Sequence, residues 1–127
     1  MSLTTDFSGR PTSKDGRKVA LVVDDEMLVR MNAVDLFEEM GFEVLEASNG
    51  NEALAVLEAR PDVDILFSDC RMPGLSGPDL AAIAAERWPS LRIVLVSGYV
   101  KVAPTTWPLI AKPYDASTLE RVVLKDG

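Results

Sequence analysis

Apolar residues fall into short blocks along most of this chain, and the blocks alternate between two spacings. Val19–Val23, Glu43–Leu45, Ile65–Ser68, Ile93–Val96 and Leu109–Ala111 are strand-length runs rich in valine, isoleucine and leucine. Between most of them the apolar positions recur at helical spacing. Val29, Ala33, Leu36, Phe37 and Met40 form one such stripe, which Gly41 stops. A second helix is predicted from about Asn51 to Arg60, with Ala53, Val56 and Leu57 inward and Pro61 beyond its end. A third opens at Ser76-Gly-Pro-Asp79, a capping-box spacing with proline in the first turn, and buries Leu80, Ile83 and Ala84. The last starts at Asp115 and turns Leu119, Val122 and Val123 inward.

Strands that alternate with helices need right-handed crossovers, which give a mostly parallel sheet covered on both faces. The predicted class is therefore α/β: a doubly wound, five-stranded parallel sheet in the flavodoxin-like order 2-1-3-4-5. The link from Ser97 to Leu109 breaks the alternation. Gly98, Pro104 and Pro108 interrupt it, so the fourth helix is expected to be short or missing. Residues 1–17 are polar, rich in Gly, Pro, Ser and Thr, and predict a flexible tail ahead of one domain over 18–127.

Composition narrows the functions open to such a domain. At 127 residues with 47% apolar content, the chain can build one core without staples. No apolar run approaches the ~20 residues that span a bilayer, and no secretory pattern opens the sequence. A cytoplasmic protein without a membrane partner is the expectation. One cysteine, Cys70, has no second to pair with and reads as a packing residue in a reducing compartment. A net charge of −7 weighs against direct nucleic-acid binding, which needs clustered lysine and arginine. Trp88 and Trp107 read as packing residues rather than a stacking platform. The absence of histidine removes Ser–His and Cys–His catalysis, His-ligated zinc and any phosphohistidine on this chain itself.

What remains is a set of polar residues that close the apolar runs. Asp24 and Asp25 close the first, Asp69 the third, Ser97 the fourth and Lys112 the fifth. In an open parallel sheet the strand carboxyl ends share one edge, where ligands bind. Two readings are open for Asp25 and Glu26: they start a helix at Met27 as N-caps, or they belong to a cation site. Ser97 reads as a turn residue before Gly98 or as a hydroxyl donor, and Lys112 as a solvated strand-end lysine or a phosphoryl contact. The functional readings gain from coinciding at one edge. Three carboxylates together need a counter-charge, and an oxygen-only set selects a hard cation such as Mg²⁺. An ammonium and a hydroxyl beside that cation would neutralise a phosphoryl group in transfer.

The residues resemble the receiver domains of two-component response regulators over about Lys18 to Lys125. The resemblance rests on Val22-Val-Asp-Asp-Glu26, Ser68-Asp-Cys-Arg-Met-Pro-Gly-Leu-Ser-Gly77, Val94-Leu-Val-Ser-Gly98 and Lys112-Pro113. It implies that Asp69 accepts the phosphoryl group. It implies side-chain binding of Mg²⁺ by Asp25 and Asp69, a backbone carbonyl ligand from Arg71, and Asp24 acting mainly through water. Ser97 would be the switch hydroxyl, Lys112 the phosphoryl-contacting cation, and Lys112-Pro113 a cis bond. The donor would be a histidine kinase or histidine phosphotransfer protein, and a downstream protein would read the switched state. Such a chain is an acceptor and switch, not an enzyme; too little sequence follows Lys125 for an output domain, so it either acts through protein contacts or is a piece of a longer chain.

Two positions depart from the family pattern. Leu109 stands where receivers commonly carry an aromatic, and the Ser97–Lys112 spacing is short. Tyr99, two residues past Ser97, is a candidate substitute, and a Ser-Gly-Tyr variant with a short fourth helix resembles a subgroup of hybrid-kinase and stand-alone receivers. Arg71 is placed either to overhang the acidic pocket or to stand in solvent. Two competing functions follow from these departures and from the acidic set: a constitutive interaction module that never carries phosphate, and a small Mg²⁺-dependent aspartyl phosphatase. Arg71 occupies the place where such a phosphatase would want its general acid.

Overall fold

The structure, a computed structural model, describes residues 16–98 and 106–124. Within them the elements run β1 (Val19–Val23), α1 (Met27–Glu39), β2 (Glu43–Ala47), α2 (Gly50–Ala59), β3 (Ile65–Asp69), α3 (Gly77–Arg87), β4 (Arg92–Ser97), β5 (Leu109–Ala111) and α4 (Ala116–Val123). The five strands pair in parallel in the order β2-β1-β3-β4-β5, as the alternating pattern predicts. No helix among the described residues is long and apolar enough to cross a membrane. The expected tail falls almost wholly outside the described residues. So do Tyr99 and most of the link in which the fourth helix was expected to be short or missing.

The central strands are apolar at nearly every position because both of their faces are covered. Side chains alternate across a strand, so each strand feeds two cores. Val19, Leu21 and Val23 point into one core with Ala53 and Leu57 of α2 and Leu80 and Ala84 of α3. Ala20 and Val22 point into the other with Ala33 and Phe37 of α1 and Leu119 and Val123 of α4. A register slip of one residue would exchange the two sets, which fixes where each strand ends.

The end of α1 shows how local sequence sets this frame. Gly41 takes a left-handed φ of 93°, open to glycine at little cost. Its N–H donates to the Glu38 carbonyl at 2.9 Å, and the Phe42 N–H donates to the Phe37 carbonyl at 3.1 Å. These two bonds close the helix as a Schellman turn. The Phe37 and Phe42 rings then meet edge-on at 5.3 Å and carry the chain into β2.

β3 and β4 run a residue past their expected ends, β4 starts a residue early and α2 stops at Ala59, while two further boundaries differ for a visible local reason. β2 runs on through Glu46 and Ala47, which pair with Val22 and Val23. It is an edge strand, so its exposed face takes a charged residue that reads as loop in the sequence. α2 starts at Gly50, because the Asn49 side chain accepts from the Glu52 N–H at 2.8 Å and nucleates the helix one residue early.

Candidate functional site

The predicted polar residues converge at the carboxyl edge. β1 and β3 lie side by side there and their connections leave in opposite directions, the switch point at which such sheets open a crevice. Backbone hydrogen bonds extend the ladder beyond the strands. The Asp24 N–H donates to the Ala47 carbonyl at 3.2 Å, Cys70 N–H to the Val96 carbonyl at 2.8 Å, and Lys112 N–H to the Ser97 carbonyl at 2.8 Å. All five strand ends are thereby held in one row.

One oxygen from each of Asp24, Asp25 and Asp69 lies within 4.8 Å of the other two. Lys112 Nζ reaches both buried members of the set, Asp24 Oδ2 at 3.3 Å and Asp69 Oδ1 at 3.1 Å. Asp25, Glu26, Arg71, Ser97 and Gly98 complete the rim of a cavity of about 350 Å³. Ser97 is itself buried, at 3% exposure. The helix-cap reading holds for position only: Glu26 is the N-cap of α1, which starts at Met27, but its side chain makes no cap bond. Instead Asp24 Oδ1 accepts from the Glu26 N–H at 2.9 Å, which tightens the turn and aims Asp24 inward.

Three carboxylates against one ammonium leave excess negative charge in a partly dry place. Burial raises the Asp69 carboxyl above its usual range; Lys112 opposes this, and Asp24 and Asp25 add to it. Burial works against the charged Lys112 ammonium, but its bonds to Asp69 and Asp24 prevail and hold its pKa up. The donor set is all oxygen, with one member, Asp25, open to solvent. Such a set suits a hard divalent cation that keeps part of its hydration shell.

Several smaller expectations can be placed. Lys112-Pro113 is cis. Cys70 is buried beside Asp69, and burial raises its thiol pKa, which fits a packing role. Trp88 and Trp107 both pack against the core shared with α2 and α3. Leu109, in place of an aromatic, is 42% exposed on β5. Arg71 lines both the acidic cavity and a neighbouring cleft with Met72 and Ser76.

Sequence reasoning missed three residues that shape the site. Gly77 opens α3 directly against the loop that follows β3: its N–H donates to the Cys70 carbonyl, and a Cβ would stand 2.2 Å from the Asp69 carbonyl oxygen. The "x-x-x-Gly" spacing after Met72-Pro73 was its signal. Tyr114 packs edge-on against Phe67 at 5.9 Å beside Lys112, and burial raises its phenol pKa. Arg30 donates to the Asp24 backbone carbonyl at 2.8 Å and to Glu46 Oε1 at 3.0 Å. A cation in the first turn of a helix, where acids are favoured, was the only signal for it.

The fold is a flavodoxin-like α/β sheet whose polar strand ends gather on one edge. The sequence model of the response regulator receiver domain matches residues 20–123. The chain belongs to that family of two-component signalling domains. It is 37% identical over 95 residues to the sensor kinase CckA of Brucella abortus, a match that covers 74% of this chain and 10% of that protein. The chain thus spans about a tenth of the length of that curated relative. The crystal structure of the receiver domain from hybrid histidine kinase CckA superposes with a TM-score of 0.71 at 38% identity, covering 81% of this chain and 93% of that one. The response regulator TrrA from Thermotoga maritima, solved in complex with Mg²⁺ and BeF, superposes with a TM-score of 0.78 at 29% identity over 85% of this chain and 97% of that one.

Proposed function

We propose that Asp69 accepts a phosphoryl group from a phosphohistidine on a histidine kinase or phosphotransfer protein, and that the phosphorylated state controls a downstream protein. The observation that carries this reading is Lys112 Nζ held between Asp24 and Asp69 at the rim of an oxygen-lined cavity. An Asp69 carboxylate oxygen attacks phosphorus, the P–N bond to the donor imidazole breaks, and the imidazole leaves with the electron pair. Lys112 and Ser97 line the cavity, and on this reading their ammonium and hydroxyl would meet the phosphoryl oxygens. Asp24, Asp25 and Asp69, with the Arg71 carbonyl, would hold Mg²⁺, whose neighbour in the TrrA complex supports this choice. Bound there, the ion supplies neutralisation of the carboxylate and phosphoryl charges.

On this reading the chain is an acceptor and switch rather than an enzyme, and it works in the cytoplasm without contacting nucleic acid directly. Two states differing by a few kcal/mol suffice for signalling, since the modification need only favour one of them. The test is intact-protein mass spectrometry after incubation with acetyl phosphate, with and without Mg²⁺, beside Asp69→Ala. One phosphoryl adduct, dependent on Mg²⁺ and lost in the variant, is expected. No adduct under conditions that label another receiver would leave a constitutive interaction module in its place.

A further inference from the structure

The three clustered carboxylates are not held by the same means. Asp69 ends β3 and is fixed by the strand ladder through Asp69 and Val96. Asp24 is buried, with its side chain tied to Lys112 and to the Glu26 N–H. Asp25 is exposed and lies one residue beyond, where β1 has already ended. Its direction is set by the peptide plane that precedes it, and the oxygen of that plane is the Asp24 carbonyl.

Arg30 grips that oxygen. Its Nη1 donates to the Asp24 carbonyl at 2.8 Å, while Nε donates to Glu46 Oε1 at 3.0 Å. The Arg30 side chain is only 16% exposed. The planar guanidinium makes both bonds from one rigid fork, so fixing one end aims the other. Glu46 sits on β2, whose next residue, Ala47, accepts from the Asp24 N–H at 3.2 Å. Asp24 is therefore pinned on both sides of its Cα, by the β2 backbone at its nitrogen and by Arg30, braced on β2, at its carbonyl.

We propose that Arg30 is a positioning residue for the cation site, with Glu46 as its anchor: it sets the Asp24–Asp25 peptide so that Asp25 faces the cavity. The inference rests on the cation-dependent acceptor reading given above. Arg30 itself touches neither cation nor phosphoryl group. Groups that orient metal ligands from behind typically change affinity by about 10- to 100-fold when removed.

The experiment uses the full chain as Arg30→Met, which keeps the aliphatic stem and removes the donors, with Arg30→Lys and Glu46→Gln. Mg²⁺ titrations followed by backbone amide shifts give affinity, and acetyl-phosphate labelling is measured across the same Mg²⁺ range. Arg30→Met should bind Mg²⁺ about tenfold more weakly, yet reach full labelling once Mg²⁺ saturates. Glu46→Gln should weaken binding about threefold, the scale of a half-exposed ion pair. Arg30→Lys should recover part of the loss. In metal-free protein the Glu26 amide should exchange faster in Arg30→Met while β1 and α1 keep their protection.

Wild-type Mg²⁺ affinity in Arg30→Met would overturn the inference. So would an affinity loss matched by loss of protection throughout β1 and α1, which marks general destabilisation. If Arg30→Met does not fold, Glu46→Gln carries the same comparison. A wild-type chain that binds no Mg²⁺ sinks the acceptor reading instead, and the Glu26 exchange rate then decides whether Arg30 orders the turn.

Discussion

The two ends of the sheet use the same residue types to opposite effect. At the amino end, the Arg60 guanidinium meets Asp62 at 2.8 and 2.9 Å and Glu43 at 3.2 Å. Asp64 Oδ2 accepts from the Val19 N–H at 2.8 Å, and Arg92 donates to the Val122 carbonyl. Charge there is answered within the chain, and those bonds, Asp62 first, drive the Arg60 pKa upward. At the carboxyl end three carboxylates cluster, and Lys112 pairs with two of them, Asp24 and Asp69. Matched charge holds the fold together, whereas unmatched charge is stored for something that arrives from outside.

This contrast can be broken in order of expected size. Gly77→Ala forces a Cβ onto the Asp69 carbonyl, a backbone atom that cannot turn aside. It should cost about 3 kcal/mol in urea unfolding and slow acetyl-phosphate labelling as well, coupling stability to the site. Arg60→Ala removes two donated bonds from Asp62, whose side chain is 7% exposed. It should cost about 2 kcal/mol, below the value for a wholly buried pair because the guanidinium is a third exposed. Labelling at Asp69 should not change; a change would mean that the two ends are not independent.

Asp69→Asn tests the opposite sign. The folded Asp69 pKa is raised, so its ionisation opposes folding at neutral pH. In chelator at pH 7 the variant should melt about 2 °C higher than wild type. The difference should shrink as pH falls through the raised pKa and vanish below the ordinary value of 3.8, where both are neutral. A variant that melts lower at pH 7 would show that the Lys112 contact outweighs the crowding. The smallest effect belongs to Leu109→Ser: at 42% exposure outside the charge cluster, stability should move by less than about 0.5 kcal/mol.

The sequence made the elements legible because the strands are apolar on both faces and the helices carry stripes that differ in period. It made the site legible because polar residues that close apolar runs land on one edge of a parallel sheet. Its limits have physical causes. The end of β2 was hidden since an edge strand needs no apolar outer face, so Glu46 carried no strand signature. Arg30 was hidden for the same reason: its role depends on Glu46, 16 residues away and on another element. Spacing can mark which residues share an edge, but a hydrogen bond to a backbone carbonyl leaves no residue-type pattern to read.

Lys112 and Asp24 are 88 positions apart in the chain, and that separation sets a timetable. During synthesis the acidic loops after β1 and β3 emerge well before β5 and its lysine. Until β5 docks, the carboxylates stand together without their ammonium, and closing so long a loop is among the later events in folding. On the proposed reading, competence to take up phosphate would therefore be a certificate of a finished molecule. A nascent or half-folded copy would have its acidic residues but not the assembled pocket, and on that reading would stay silent to a donor.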